Sequence, residues 1–522
     1  LERRLDAYAG QWSDAWRGTC ETERTVGRSG ELELQRECLV ERRRELEVFI
    51  SALVEVGPDS GVRIERSLAA AEALPAIASC RDFARSGGDV TATPEQRERT
   101  TELAAGLSEA RTLGLLGDPA AGLARARLVE AEARELDQPR TLTRALLQVA
   151  DLQREARELD AAAEALREAY ATAERSGEDW LRAEAALNLF GLIGFDLNQP
   201  AEARVWGQVA DALIERIGNP DDLRGRWWMH DGGLHVRESE FEAAERSLSQ
   251  ALQVLERSFG PNAPELDGVL SRLGTVARER GDLQRAFDFH QRTFDRVHAA
   301  YGPDHPDVAK AWAILGTDAY FQGNYEDALG YTEEALRILA ACYGEDSPAY
   351  AMRLNNYAAT LERLGRLDEA EAIHRKLLAS NTARYGADDV RVSTSLENLG
   401  LVLLSANRFE EAAQMYERSL TLRIAAYGLD HTSTATTQSN LGYARLRLGD
   451  YTRARELFDQ AYATWLAKLG PDHQDLALVH GNYGELDLAE GKLISAREHC
   501  EKAIALIEAA LGPDSGELGY PL

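Results

Sequence analysis

The stretch YGPDHPDVAKAWAILGTDAYFQGNYEDALGYTEEALRILAAC, Tyr301–Cys342, is followed at once by Tyr343-Gly344-Glu345-Asp346, which begins the same phrase again. Its glycine recurs at Gly260, Gly302, Gly344, Gly386, Gly428, Gly470 and Gly512, each 42 residues from the last. A second column is Gly281, Gly323, Gly365, Asn407, Gly449 and Gly491. A third is Gly274, Gly316, Ala358, Gly400, Gly442 and Gly484, and a fourth Ala286, Ala328, Ala370, Ala412, Ala454 and Ala496. A fixed period of this length is the mark of a stacked repeat, in which each unit buries its apolar face against its neighbours.

Each column has a physical reason. Gly281 and its equivalents stand where a first helix ends in a left-handed residue, and Asn407 is the next-best residue for that conformation. A large apolar anchor follows two residues on: Leu283, Tyr325, Leu367, Phe409, Tyr451, Leu493. The Gly/Ala columns let two helices approach closely, and Gly302 and its equivalents end the second helix. Acids at Asp304, Asp346, Asp388, Asp430, Asp472 and Asp514, with Asn262 in the first copy, are expected to cap the next helix. A looser version runs upstream through Gly117, Arg157, Asn198 and Ser239. Counting turns from Gly117 to Gly491 predicts ten helical hairpins, with the first helix of each lining a concave side.

Length and composition agree. A chain of 522 residues is too long for one core, and its Ala, Leu, Arg and Glu content with only 15 Pro favours helix throughout. Asp and Glu total 87 against 59 Lys and Arg, a net charge of −28. That balance opposes phosphate neutralisation, so neither nucleic acid nor an anionic membrane surface is an expected partner. It suits a long array that repels its neighbours. No apolar run reaches the roughly 20 residues of a membrane helix. The best, Ala185–Leu197, is too short and carries Asp196. The chain starts at Leu1 rather than Met, as a piece of a longer protein would.

The expected organisation is a helical region over 1–90 with an αα-hairpin turning at Gly27-Arg-Ser-Gly30 and a third helix near Gly61. A linker over 91–98 follows, then four irregular hairpins over 99–259, six regular ones over 260–512, and a tail over 513–522. Cys20 and Cys38 lie nine residues either side of Ser29, at one height in such a hairpin. That permits either a disulfide or two buried thiols.

The motifs "LG…Y…G.Y..A", "YGPDHPDVA" (Tyr301–Ala309) and "LNNYA" (Leu354–Ala358) resemble the tetratricopeptide repeat in the 42-residue form of kinesin light chains. The match is strong over 260–512 and weaker over 99–259. It implies an all-α, tetratricopeptide-repeat superhelix (α-solenoid) preceded by a small helical domain. It implies a protein or peptide partner and no cofactor.

The N-terminal run resembles a second group, the segment joining kinase and repeat domains in serine/threonine kinases of myxobacteria. The matching residues are Tyr8, Trp12, Cys20, Thr22, Ser29, Cys38, Leu39, Arg42, Leu46, Leu74, Pro75 and Cys80. This resemblance implies that the chain is the non-catalytic half of such a kinase. With a membrane helix upstream it would lie outside the cytoplasmic membrane, where Cys20 and Cys38 could oxidise. As a free-standing soluble chain it would be cytoplasmic.

Catalytic signatures are missing from the sequence. It has no kinase phosphate loop, HRD or DFG motif, and no HExxH or CxxC; Gly491-Lys492 lacks the rest of a Walker loop. His305, His431 and His473 recur in register, but their column also holds Ser347 and Asp389, so a helix-capping polar group is the expected role. His230, Asp231 and His235 lie beside Trp227-Trp228; five-residue spacing puts the two histidines on different helix faces, so no metal site is expected.

One polar ladder is left over. Asn356, Asn398, Asn440 and Asn482 are 42 apart, each two residues before the small column. Two residues turn a helix by about 200°, so these amides face away from the helix pairing. They suit the backbone of an extended peptide, and kinesin light chain repeats imply that use. The other reading is that each bonds its neighbouring repeat. Ile314 and Arg272 break the ladder in earlier copies, which confines such a groove to the last four. Tyr320, Tyr443, Arg363 and Arg447, about one turn on, would add aromatic and cationic contacts. The competing function is a structural array that self-associates or positions an attached enzyme.

Overall fold

The computed structural model describes residues 2–26, 30–54, 67, 70–71, 74, 77, 80, 94–473 and 475–511. Among them are 22 α-helices and no strand. Helices α1 (Glu2–Val26) and α2 (Gly30–Val54) come first. They are followed by α3 (Pro94–Leu115), α4 (Pro119–Glu135), α5 (Pro139–Glu155), α6 (Leu159–Ser176), α7 (Asp179–Gly191), α8 (Pro200–Arg216), α9 (Asp221–Arg237), α10 (Phe241–Phe259) and α11 (Asp267–Glu279). The rest are α12 (Leu283–Tyr301), α13 (Pro306–Phe321), α14 (Tyr325–Tyr343), α15 (Pro348–Arg363), α16 (Leu367–Tyr385), α17 (Ser393–Ser405), α18 (Phe409–Tyr427), α19 (Thr432–Arg447), α20 (Tyr451–Leu469), α21 (Asp475–Ala489) and α22 (Leu493–Leu511). The chain is an α-solenoid. It divides into two units, Leu1–Val276 and Ala277–Leu522. No helix among the described residues is long and apolar enough to cross a membrane.

The turns explain the glycine columns. At the end of α13, Gly323 has φ 78°. Its N–H donates to the Tyr320 carbonyl at 3.0 Å, and the Asn324 N–H to the Ala319 carbonyl at 2.9 Å. This double bond closes the helix and needs the left-handed residue. Upstream, Arg157 takes the same role at φ 65°, with Arg157 N–H to Arg154 O at 3.1 Å and Glu158 N–H to Gln153 O at 2.8 Å. The motif therefore overrides a steric cost of roughly 1 kcal/mol for a side chain in that conformation.

The N-caps correct one expectation. The cap is the His305 column, not the Asp304 column. His305 Nδ1 accepts from Asp307 N–H at 3.2 Å, Ser347 Oγ from Tyr350 N–H at 3.3 Å, Asp389 Oδ1 from Arg391 N–H at 2.9 Å, and His431 Nδ1 from Ser433 N–H at 3.1 Å. The capping residue has extended backbone, φ −86° and ψ 143° at His305. Asp304, one residue earlier, lies in the turn and pairs with Arg337 at 2.8 Å.

Helix pairing is set by the small columns. A Cβ on Gly442 would stand 2.6 Å from Phe458 Cε1, and one on Gly400 2.8 Å from the Tyr416 ring. In the same register Gly316 meets Thr332 Oγ1 at 2.8 Å, Gly484 meets Cys500 Sγ at 2.8 Å and Gly232 meets Leu248 Cγ at 2.6 Å. Opposite them Ala244, Ala286, Ala328, Ala370, Ala412 and Ala454 are wholly buried.

At the N-terminus, Tyr8, Leu39 and Phe49 share a core with Ala70, Ala71, Leu74, Ile77 and Leu116. Trp12 Nε1 donates to the Leu39 carbonyl at 2.6 Å. Cys38 is disulfide-bonded to Cys80, and Cys20 is a free, half-buried thiol. The Cys20–Cys38 pairing is thus overturned: equal height along two helices leaves rotation open, and Cys38 turns into the core that holds Cys80. Helix α3 starts at Pro94, so 94–98 are its first turn rather than linker, as a proline at the first helical position favours. The turn at 27–29, the third helix near Gly61, the stretch 86–93 and the tail fall outside the described residues.

Gly442→Ala is expected to cost about 1–3 kcal/mol, because Phe458 is fully buried and cannot yield. Gly330→Ala, also within a helix but with nothing within 4 Å of its Cβ, should be neutral or slightly stabilising. Urea unfolding followed by circular dichroism compares the two. Peptide mapping without reductant should join the Cys38 and Cys80 peptides and leave Cys20 open to alkylation; a linked Cys20–Cys38 pair would contradict the structure.

Candidate functional site

In the second unit the ladder lies on α15, α17, α19 and α21, but its rungs differ. Asn356 is exposed and has no side-chain partner among the described residues. Asn398 is half-buried and its Nδ2 donates to Asn355 Oδ1 at 2.7 Å. Asn440 is half-buried, with no side-chain bond among the described residues. Asn482 is buried and donates to Ser439 Oγ at 3.0 Å. Both bonds reach back 43 residues, from a rung to the residue beside the previous rung. The neighbour-bonding reading therefore holds at Asn398 and Asn482. Asn398 keeps its carbonyl oxygen and one N–H for a further partner, as an amide has more valences than one bond uses.

The four expected neighbours form two separate pairs. Arg363 Nε donates to Tyr320 Oη at 2.8 Å and lies over that ring at 5.7 Å. Arg447 donates to Tyr443 Oη at 3.3 Å and lies over Phe409 at 4.6 Å. The same helices carry exposed apolar side chains that the sequence reading passed over: Phe321, Met352, Leu401, Leu478 and Leu488. At 100° per residue they fall with the asparagines within roughly 120° of one another on the first helices. Their signal was available: they are large apolar residues that belong to no packing column.

The equivalent face of the first unit is charged. Arg154 pairs with Asp196 at 2.7 Å, and Arg226 donates to Asn188 Oδ1 at 2.6 Å with Glu184 at 3.8 Å. Arg272 Nη1 donates to the Met229 carbonyl at 2.8 Å, and its guanidinium lies 5.1 Å from the Phe195 ring centre. His230 is held among Phe190, Phe195 and Gly191. Burial, with the positive charges of Arg226, Arg272 and Arg154, lowers its pKa to about 3, so the ring is neutral. Asp151 is open to solvent by area, yet surrounding protein removes enough water to raise its carboxyl to about 6 against the pull of Arg111. At one end of this face Glu41 of α2 pairs with Arg144 of α5, and Arg44 donates to the Thr101 carbonyl at 3.1 Å. Burial alone would raise Glu41, but Arg144 and Arg42 outweigh it and hold its pKa below the usual carboxylate value.

His230 and His235 have different surroundings, as their spacing requires. His235 Nδ1 is 2.6 Å from Glu240, and Asp231 accepts from Ser247 Oγ at 2.6 Å. Among the described residues one group could hold a metal ion: His235, Glu238 and Glu240, whose ligand atoms lie within 4.8 Å of one another. Arg204 already neutralises Glu238 and stands 4.0 Å from Glu240. Across both faces the side chains supply amide and guanidinium hydrogen bonds, apolar contact and a neutral imidazole, a chemistry suited to holding a ligand.

Tetratricopeptide repeats are present: the family's sequence profile matches residues 266–341, 350–425 and 433–509. Comparison with curated proteins finds no match. The fold is similar to the apo form of the quorum sensor NprR from B. thuringiensis, at 12% identity and TM-score 0.51 over 70% of this chain and 99% of that one. A putative kinesin light chain of Podosopora anserina with TPR-like repeats matches at 18% identity and TM-score 0.34, over 41% of this chain and 100% of that one. A Rap protein complexed with Competence and Sporulation Factor matches at 15% identity and TM-score 0.44, over 63% of this chain and 87% of that one.

Asp151 gives a pH test. Its folded pKa of about 6 lies above the unfolded value, which is about 3.9. The folded state therefore keeps a proton that the unfolded chain has lost, and stability falls as pH rises from about 4 to about 6. Above that range the folded state bears a poorly solvated charge. Asp151→Asn should raise the Tm at neutral pH and change it little near pH 4, read by thermal melts across pH.

Proposed function

We propose that the chain is a non-catalytic scaffold that binds an extended peptide or a partner protein along the first-helix face of its last four hairpins. One observation carries this reading. Open amides at Asn356 and Asn440 share a face with Met352, Leu401, Leu478 and Leu488, which the packing leaves exposed. Amides that alternate with apolar steps suit an extended backbone with apolar side chains. On the concave wall of a solenoid such a strip is the usual binding surface. We further read the chain as the regulatory half of a serine/threonine kinase, on the N-terminal resemblance; a kinase domain encoded directly upstream is the expected observation.

The competing structural reading has its own support in the first unit, where α2 contributes Glu41 to the Arg144 position of the first-helix face. There the N-terminal helices occupy the wall themselves.

Panning a displayed peptide library on the full chain should enrich sequences with regularly spaced apolar residues. Asn356→Ala with Asn440→Ala should weaken the selected peptides by about tenfold, the worth of one or two hydrogen bonds, with helicity unchanged. Asn482→Ala should act on stability instead, since that amide is buried against Ser439. No enrichment, or selected peptides indifferent to both ladder substitutions, would sink the groove reading.

A further inference from the structure

In the first unit the ladder position is filled by His230 and, 42 residues on, by Arg272. Arg272 is half-buried and has no carboxylate partner among the described residues; it donates to the Met229 carbonyl, and its guanidinium lies 5.1 Å from the Phe195 ring centre. The neighbouring arginines differ, with Asp196 beside Arg154 and Glu184 beside Arg226. Among the described residues, Arg272 is therefore the arginine of this face with no carboxylate against it. A guanidinium withdrawn from water without a counter-ion is unfavourable and persists where something else uses it.

Two glycines within helices seat these two side chains. A Cβ on Gly233 would stand 2.6 Å from Arg272 Nη1 and 2.8 Å from Phe195 Cζ, and a Cβ on Gly191 would stand 2.9 Å from His230 Cε1. Mid-helix glycine is disfavoured and is kept where something must come close. His230 Nδ1 is shut from solvent and has no hydrogen-bond partner among the described residues. A buried orphan N–H is the costlier state, so the proton belongs on Nε2, where the ring is a neutral donor.

We propose that Arg272 and His230, both packed against Phe195, bind a carboxylate through the guanidinium and the Nε2–H on the first-helix face of the first unit. A guanidinium without a carboxylate partner matches one carboxylate group. Asp151, Glu184 and Asp196 on the adjoining helices disfavour a dianionic phosphate. The guanidinium's N–H groups form a planar fork, as a carboxylate requires. Small organic acids and the free C-terminus of a peptide offer the same group. The site is independent of the asparagine groove and stands or falls separately.

The test uses the full chain labelled at histidine Cε1 and followed by NMR. Acetate should shift the His230 resonance saturably and raise its pKa, because a bound anion favours the imidazolium. Arg272→Gln should weaken acetate by about tenfold or more, and Arg272→Lys, which keeps the charge but not the planar fork, by less. A peptide with a free C-terminus that moves the resonance where its amidated form does not identifies a chain terminus as the source. Acetate acting where both peptides are silent identifies a small acid. The proposal is overturned if no saturable shift occurs, if Arg272→Gln leaves it unchanged, or if inorganic phosphate binds more tightly than acetate.

Discussion

The close approach of the two helices in each hairpin governs most of what the chain can be. Where Gly400 or Gly442 faces its second helix there is no room for a methyl group, and the gap is filled by Tyr416 or Phe458. Because one partner is reduced to backbone, the other can vary in size without changing the spacing: Leu248, Thr332 and Cys500 fill the same position in other copies. It can also be polar if it brings its own partner. His290 stands there 2.5 Å from Asp318, and His374 stands there 3.1 Å from Glu362, all four in the second unit. Such packing fixes geometry through the smallest residues and leaves chemistry to the rest.

Once one face of a first helix is committed to this approach, the opposite face answers to a weaker demand. Its ladder position has only to reach the preceding first helix. Asn398 reaches Asn355, Asn482 reaches Ser439, and Arg272 reaches the Met229 carbonyl, each across 43 residues. Any donor of suitable length meets that need. The column can thus carry amides in one region and a guanidinium or imidazole in another at little cost to the fold. A strip constrained this loosely is where binding chemistry can differ between copies.

The same division decides what could be read in advance. The turn and packing columns are legible because they are demands on the backbone, which glycine, alanine and asparagine meet by lacking bulk or tolerating left-handed φ. Capping was expected of both the Asp304 and the His305 columns because both carry an acceptor, and only the extended backbone at the second shows which one caps. The Cys20–Cys38 pairing failed for a related reason: spacing gives height along a helix, while a disulfide also depends on rotation. For the ladder, periodicity gave the face but not the partner, since Asn356 and Asn482 are identical in sequence terms and opposite in exposure. The raised carboxyl of Asp151 was out of reach altogether, being a property of the mass around it and not of its neighbours in the chain.

Ion pairs divide in the same manner. Arg337–Asp304 and Lys376–Glu345 are exposed and shift by one and three positions between successive copies, as expected of pairs worth little individually. Glu397 differs. It is largely buried and takes Arg423 at 2.6 Å and the Thr437 hydroxyl, while Arg423 also donates to the Ser433 carbonyl at 2.6 Å. These groups come from α17, α18 and α19, three consecutive helices of one unit. Sliding α19 by one residue would take the Thr437 hydroxyl from Glu397 and the Ser433 carbonyl from Arg423, leaving bonding positions of a buried pair unmet, a loss of about 1–3 kcal/mol. Apolar stacking alone tolerates such a slip more readily, because one leucine resembles another. The buried pair contributes less to stability than to register, holding adjacent hairpins where the 43-residue bonds of the ladder can form.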